Sequence, residues 1–142
     1  MWVLPWISCR PQLGVYDRLM VELRTEDPAS FKNLLRMPPE VFDELLVKVS
    51  PRPEKDYIGR QPLSPGLKLA LTLRHFASGH TYSSMKCSWR VPHNTISLVV
   101  HEVCEALQAE YMDEVMRCPT TPAEWLDIAE QFYKKWNSPT PW

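Results

Sequence analysis

The chain has 142 residues, of which 44% are hydrophobic and 23% charged, and its formal net charge is −1. This length allows one domain and is short for two, and the composition is that of an ordinary globular protein. No apolar run is long enough to cross a bilayer, and the opening residues have neither the basic leader nor the long apolar stretch of a signal peptide. We therefore expect neither a membrane span nor a secretory leader.

Prolines mark the predicted helix starts along the chain. Pro28, Pro39, Pro65 and Pro122 each stand at or near a first helical turn, where the missing N–H has no cost. Between these starts the apolar residues recur with a helical period, and no segment alternates as a strand would. The sequence predicts an all-α helical bundle, with helices near 12–24, 28–36, 39–49, 64–78, 81–89, 93–116 and 122–136.

This pattern divides the chain into four parts. Residues 1–50 form an N-terminal helical region, and 51–63 are a proline-rich loop. Residues 64–117 are predicted to be a helix-turn-helix-like region, and 118–142 contain a C-terminal helix and a tail. The four cysteines include no C-x-x-C pair, so we expect reduced intracellular thiols.

Charge is unevenly distributed along the chain. Between Tyr57 and His101 there are five lysines or arginines, all four histidines and no acidic residue. The remaining residues contain 11 basic and 17 acidic side chains, which sum to −6. A positive central segment between acidic flanks favours a surface that meets a polyanion, although chance clustering in a small domain would give the same pattern.

The region after residue 64 is predicted to form three consecutive helices. The first is apolar on nearly all sides, including Phe76, and is expected to be buried as a scaffold. The second is short and capped by Thr81, and a tight turn through Pro92 leads to the third. At 100° per residue, the third helix has one core stripe, and its opposite face is polar and free of acids near its start. The stripe consists of Ile96, Val99, Val100, Val103 and Leu107.

A short helix, a tight turn and a longer helix with this polar face are typical of a helix-turn-helix DNA-binding unit. Lys86 and Arg90 are predicted to bind phosphates. The side chains predicted to lie near base edges are His93, Asn94, Thr95, Ser97 and His101. A plain three-helix bundle would show similar spacing, so the pattern alone leaves that alternative open.

Several segments, in this order along the chain, resemble the N-terminal region of Harbinger (PIF/Harbinger) transposases and the nucleases derived from them. The clearest are Arg36-Met37-Pro38-Pro39-Glu40-Val41-Phe42, Arg90-Val91-Pro92-His93-Asn94-Thr95-Ile96-Ser97 and Pro119-Thr120-Thr121-Pro122-Ala123-Glu124-Trp125. The likeness extends over essentially the whole chain to Asn137. It implies a DNA-binding helical region, a following RNase H-like nuclease domain with three catalytic carboxylates, and a separate Myb-like partner protein. It also implies a nuclear location, or a cytoplasmic one without that partner.

No residue of this sequence corresponds to any of the family's three carboxylates. After Asn137 the chain reads Ser138-Pro139-Thr140-Pro141-Trp142, where relatives continue towards the first catalytic aspartate. We therefore interpret the end of 118–142 as a truncated linker to a missing nuclease domain, and expect DNA binding without catalysis. Leu4, Cys9 and Leu98 also stand where relatives tend to be basic.

Other interpretations stay open at this point. The chain is alternatively a protein-protein interaction module that docks a Myb-like partner, with Leu98 contributing, or a fragment of a metal-dependent nuclease. Cys87, His93, His101 and Cys104 match no established zinc-ligand spacing. We expect no cofactor and no metal, and double-stranded DNA as the main partner, with the oligomeric state left open.

Overall fold

The computed structural model describes residues 4–50 and 62–137, and all regular structure within these ranges is helical. Among these residues there is no strand, which confirms the prediction of an all-α bundle. Val15–Leu19 form a π-helical turn that continues into α3. The α-helices are α1 Pro5–Ser8, α2 Arg10–Leu13, α3 Met20–Glu26, α4 Pro28–Leu35, α5 Pro39–Val49, α6 Pro65–Ser78, α7 Tyr82–Trp89, α8 His93–Val115 and α9 Pro122–Trp136.

Side-chain caps fix the starts of four helices. Asp27, Ser64 and Thr81 each accept a hydrogen bond from the backbone amide three residues ahead, at α4, α6 and α7. Thr121 does the same at α9, where Glu124 reaches back to the Thr121 amide and completes a capping box. These caps satisfy amides that the first turn of a helix leaves unpaired, and they explain why the predicted starts lie close to the observed ones.

The first helices of the chain differ from the prediction. A single helix over 12–24 was expected, whereas the structure has the one-turn helices α1 and α2, the π-helical turn and α3. Most of the predicted proline-rich loop, 51–61, lies outside the described residues.

The chain divides into two compact units, Met1–Glu110 and Tyr111–Trp142. The core of the first unit is built around α6, whose Leu69, Ala70 and Leu71 are fully buried. Phe76, in the last turn of α6, was expected to be buried with them but is 63% exposed. Within the described ranges, the other large apolar side chains that are fully buried are Phe31, Leu35, Phe42, Met85, Val91 and Ile96.

The second unit contains the end of α8 and α9. No residue of α9 is buried, although its sequence is strongly amphipathic. Among the described residues, no helix is both long enough and apolar enough to cross a membrane.

Candidate nucleic-acid interface

The predicted DNA-binding residues lie on α7, on the start of α8 and on the turn between them. The turn is Arg90-Val91-Pro92, and Arg90 adopts the left-handed conformation, with φ 52° and ψ 45°. Val91 is fully buried, and the Pro92 carbonyl accepts the first backbone bond of α8 from the Ile96 amide. A buried valine between two helix ends fastens the turn to the core, so α8 starts from a fixed position.

The two faces of α8 separate as the helical period predicts. Ile96, Val99, Val100 and Val103 are all less than 7% exposed and form the core stripe, and Leu107 packs against them. On the outward side His93, Asn94 and His101 are exposed, while Thr95 and Ser97 are half-buried at its edges. The five residues predicted to lie near base edges are thus all at least partly accessible, and three of them are exposed.

A hydrogen bond holds His101, and a ring contact holds His93, on the outward side of α8. The Nδ1 atom of His101 lies 2.7 Å from the carbonyl oxygen of Ser97. Because a carbonyl oxygen only accepts, Nδ1 of His101 carries a proton and donates it, which leaves Nε2 for an external partner. His93 packs edge-on against the ring of Tyr82, with ring centroids 5.6 Å apart.

Lys86 and Arg90, the predicted phosphate-binding residues, both contact Trp6 in α1. The Nζ atom of Lys86 lies 5.7 Å from the centroid of the Trp6 ring, within the range of a cation–π interaction. Arg90 Nη1 donates a 2.6 Å hydrogen bond to the carbonyl oxygen of Trp6. Both cations therefore have a partner within the protein, and Arg90 is half-buried.

The contribution of α1 and α2 to this site was missed by the sequence analysis. Nε of Arg10, in α2, donates a 3.0 Å hydrogen bond to the carbonyl oxygen of Arg90 in the turn. Together with the bond from Arg90 to Trp6, it joins the N-terminal helices to the turn. Burial lowers the pKa of the Arg10 guanidinium, and the nearby Asp17 carboxylate opposes that shift. These contacts join residues about 80 positions apart, so no local sequence pattern predicts them.

Lys68 and Arg74, which also lie in the segment without acidic residues between Tyr57 and His101, have partners within the protein as well. Nζ of Lys68 lies 3.1 Å and 3.3 Å from the two carboxylate oxygens of Glu102. Arg74 donates to the carbonyl oxygen of Leu34, at 3.1 Å. Arg60 lies outside the described residues. Glu102 is the first acidic residue on α8. Its charge is largely balanced because it is paired with Lys68.

Within 4–50 and 62–137, no three or more His, Cys, Asp or Glu side chains come together in a way that would hold a metal ion. Cys104 packs against the core, as its position on the helix predicts, and burial raises the pKa of its thiol.

No family model matches this chain, and neither a curated protein nor a solved structure matches it. The resemblance to the Harbinger transposases therefore stays a prediction from the sequence.

Proposed function

We propose that α7, the turn and α8 form a helix-turn-helix-like unit that binds double-stranded DNA through the start of α8. The observation that supports this most is the exposed polar face of His93, Asn94 and His101. This face carries no carboxylate before Glu102, which is balanced by Lys68. The positive end of the α8 dipole lies at the same place and favours a phosphate.

The residues of this face have the chemistry that reading DNA requires. The Asn94 amide both donates and accepts, and such amides pair with the N6 and N7 atoms of adenine in the major groove. Nε2 of His101 offers a further contact about two turns further along α8. Thr95 and Ser97 are half-buried, and their hydroxyl groups border this face.

Lys86 and Arg90 take different roles in this proposal. The Lys86 ammonium lies over an aromatic face and keeps N–H donors for a phosphate. Arg90 already uses one N–H to hold Trp6 beside the turn, so its first role is to position α1 and the turn. Its remaining N–H groups contribute to phosphate binding only secondarily.

Salt dependence tests the Lys86 assignment. The full chain is titrated against a mixed-sequence duplex by fluorescence anisotropy at about 50 mM and about 200 mM salt, where phosphate contacts give a steep slope. Lys86→Gln should weaken binding on all sequences and reduce the salt slope by about one. Lys32→Gln, which removes the same charge from an exposed position on α4, is the matched control. Equal effects of the two substitutions, or no binding at the lower salt concentration, would exclude this interface.

Asn94→Ala tests base reading. Selection from a random duplex pool by the wild-type chain should enrich a short motif, and Asn94→Ala should relax one position of that motif at a cost of about 1–3 kcal/mol. An unchanged preference would remove Asn94 from the proposed reading face.

A second candidate function is docking of a protein partner, and Leu98 favours it. This leucine is 65% exposed in the middle of the same face. Leu98→Arg discriminates the two functions, because it should strengthen DNA binding and should abolish docking on an apolar patch. We propose no catalytic activity for this chain, so the duplex should remain intact during incubation with Mg²⁺.

A further inference from the structure

The helix α9 carries an exposed apolar face that takes no part in the proposed DNA binding. Trp125, Phe132 and Trp136 are 57%, 58% and 64% exposed, and Leu126 is 71% exposed. The opposite face carries polar and charged side chains, including the ion pair between Lys134 and Glu130. A helix with such an apolar stripe is stable in water when the stripe is covered.

The intervals between the residues at the centre of this apolar stripe are the same whether the helix is followed from its N-terminus or from its C-terminus. Its central residues are Trp125, Ala129, Phe132 and Trp136, at intervals of four, three and four positions. At about 100° per residue, the four side chains fall within an arc of roughly 60°. Two such helices that run antiparallel are therefore automatically in register.

We propose that a second copy of this chain covers α9, as an antiparallel helix pair with its two-fold axis between Glu130 and Gln131. In this register Trp125 lies opposite Trp136 of the other copy. Ala129 lies opposite Phe132, so a small side chain meets a large one on each side of the axis. Alternation of small and large residues across an interface lets two helices approach closely.

The charges beside the stripe favour the antiparallel arrangement. Glu124 and Lys135 lie on the same flank, near 260° and 280° when Trp125 is at 0°, at about 100° per residue. A perpendicular two-fold axis brings each flank against the same flank of the other copy, with Glu124 close to Lys135. In a parallel pair, that flank would meet the opposite one, which carries Leu126 and Tyr133.

Both charged side chains are held near the places where this pairing needs them. Oε2 of Glu124 accepts from the amides of Thr120 and Thr121, at 2.8 Å and 3.2 Å, and these bonds lower the pKa of the carboxyl group. Nζ of Lys135 lies 5.6 Å from the centroid of its own Trp136 ring. The carboxylate therefore stays ionised, and the ammonium lies at the end of the helix that the partner's Glu124 approaches.

The apolar surface of the stripe fits a weak contact that depends on protein concentration. Each copy offers two tryptophans and a phenylalanine, and aromatic side chains bury about 150–250 Å² each. Since all three are only 57–64% exposed, the six aromatic side chains of the pair would remove roughly 500–900 Å² from water, an area typical of a weak, transient interface.

The mass of the full chain in solution tests the proposal. A single chain has a mass of 16.6 kDa. Sedimentation velocity from low to high micromolar concentration should show a shift towards twice that mass. Ala129→Glu places a charge at the centre of the stripe and should raise the dimer Kd at least tenfold. Ala123→Glu adds the same charge on the opposite face and should leave the Kd unchanged.

The orientation is tested by a double-mutant cycle. Glu124→Gln keeps a side chain that the capping box accepts, and Lys135→Gln removes the opposite charge. Either single substitution should raise the dimer Kd about threefold, and the double substitution should raise it no further, as expected for one exposed ion pair. Additive effects would overturn the antiparallel register. A chain that stays monomeric at every concentration, or equal effects of Ala129→Glu and Ala123→Glu, would overturn the dimer.

Discussion

The ring of Tyr16 lies directly against Gly66 in the first turn of α6. A methyl group on Gly66 would overlap the Tyr16 hydroxyl oxygen, so the absence of a side chain at this position permits the contact. Burial raises the pKa of the Tyr16 hydroxyl, and the nearby Ser64 opposes that shift. The contact holds the π-helical turn and the helices around it against the central helix of the first unit.

Gly66→Ala should therefore lower the free energy of unfolding by about 1–3 kcal/mol, as overpacking of a well-filled site does. Urea denaturation measures the change. Tyr16→Phe removes the oxygen atom that lies closest, so the double variant should recover part of the loss relative to the two single variants. If Gly66→Ala were as stable as the wild type, the Tyr16 ring would not be held in this place.

Arg90 combines a left-handed backbone with a bond to Trp6, and two substitutions separate these roles. Arg90→Ala and Arg90→Gly both remove the guanidinium, but only glycine adopts a positive φ without cost. The alanine variant should be less stable than the glycine variant by about 1 kcal/mol. Equal urea midpoints for the two variants would contradict the left-handed turn.

The same glycine variant tests the role of Arg90 in DNA binding. If Arg90 acts by positioning Trp6 and the turn, Arg90→Gly should weaken binding and leave the salt slope close to that of the wild type. A slope reduced as strongly as in Lys86→Gln would instead assign Arg90 to a phosphate.

The ion pair between Lys68 and Glu102 should be sensitive to loss of the carboxylate. The Lys68 side chain is only 13% exposed, so Glu102→Gln leaves a largely buried ammonium without its counter-charge. We expect a loss of roughly 1–2 kcal/mol in the free energy of unfolding. Glu105→Gln removes the same charge from an exposed position on α8 and should change stability by less than about 0.5 kcal/mol.

Asp43 should make stability depend on pH in the acid range. Arg24 donates two hydrogen bonds to Asp43, at 2.7 Å and 2.8 Å, and these lower the pKa of the carboxyl group. A lowered pKa in the folded state means that the stabilisation is present above the unfolded pKa, about 3.9, and is lost as pH falls below it. Because both side chains are well exposed, the pair contributes at most about 1 kcal/mol.

The measurement for Asp43 is the stability difference between the wild type and Asp43→Asn. This difference should be largest near neutral pH and should shrink as pH falls through about 4 to about 2. In an Arg24→Gln background it should no longer change over that range. A pH dependence that persists without Arg24 would place its origin elsewhere.

The longer helices were predictable because their signals are local. The stripe from Ile96 to Val103 repeats with the helical period, and caps such as Thr81 and Thr121 lie within four residues of the amides that they bind. The helices α1 and α2 are one turn each, too short for a period to be recognised. The π-helical turn also left no signal, because apolar spacing does not distinguish one helical hydrogen-bond pattern from another over five residues.

The exposed face of the candidate site was predictable from the sequence, whereas the contacts that join the site to the N-terminal helices were not. Asn94 and His101 face outward because the opposite side of α8 is apolar, which the sequence states directly. The contacts of Lys86 and Arg90 with Trp6 depend on how distant segments pack. Phe76 was wrongly predicted to be buried because α6 is apolar on nearly all sides. Its place in the last turn of α6 leaves it beyond the packed part of the helix.

The bond between Trp6 and Arg90 also bears on the order of folding events. It closes a loop of 84 positions, and the entropy cost of such closure delays a contact relative to the neighbouring contacts of α7 and α8. The N-terminal segment should therefore dock after the rate-limiting step. A substitution that removes only this bond should accelerate unfolding and leave the refolding rate nearly unchanged.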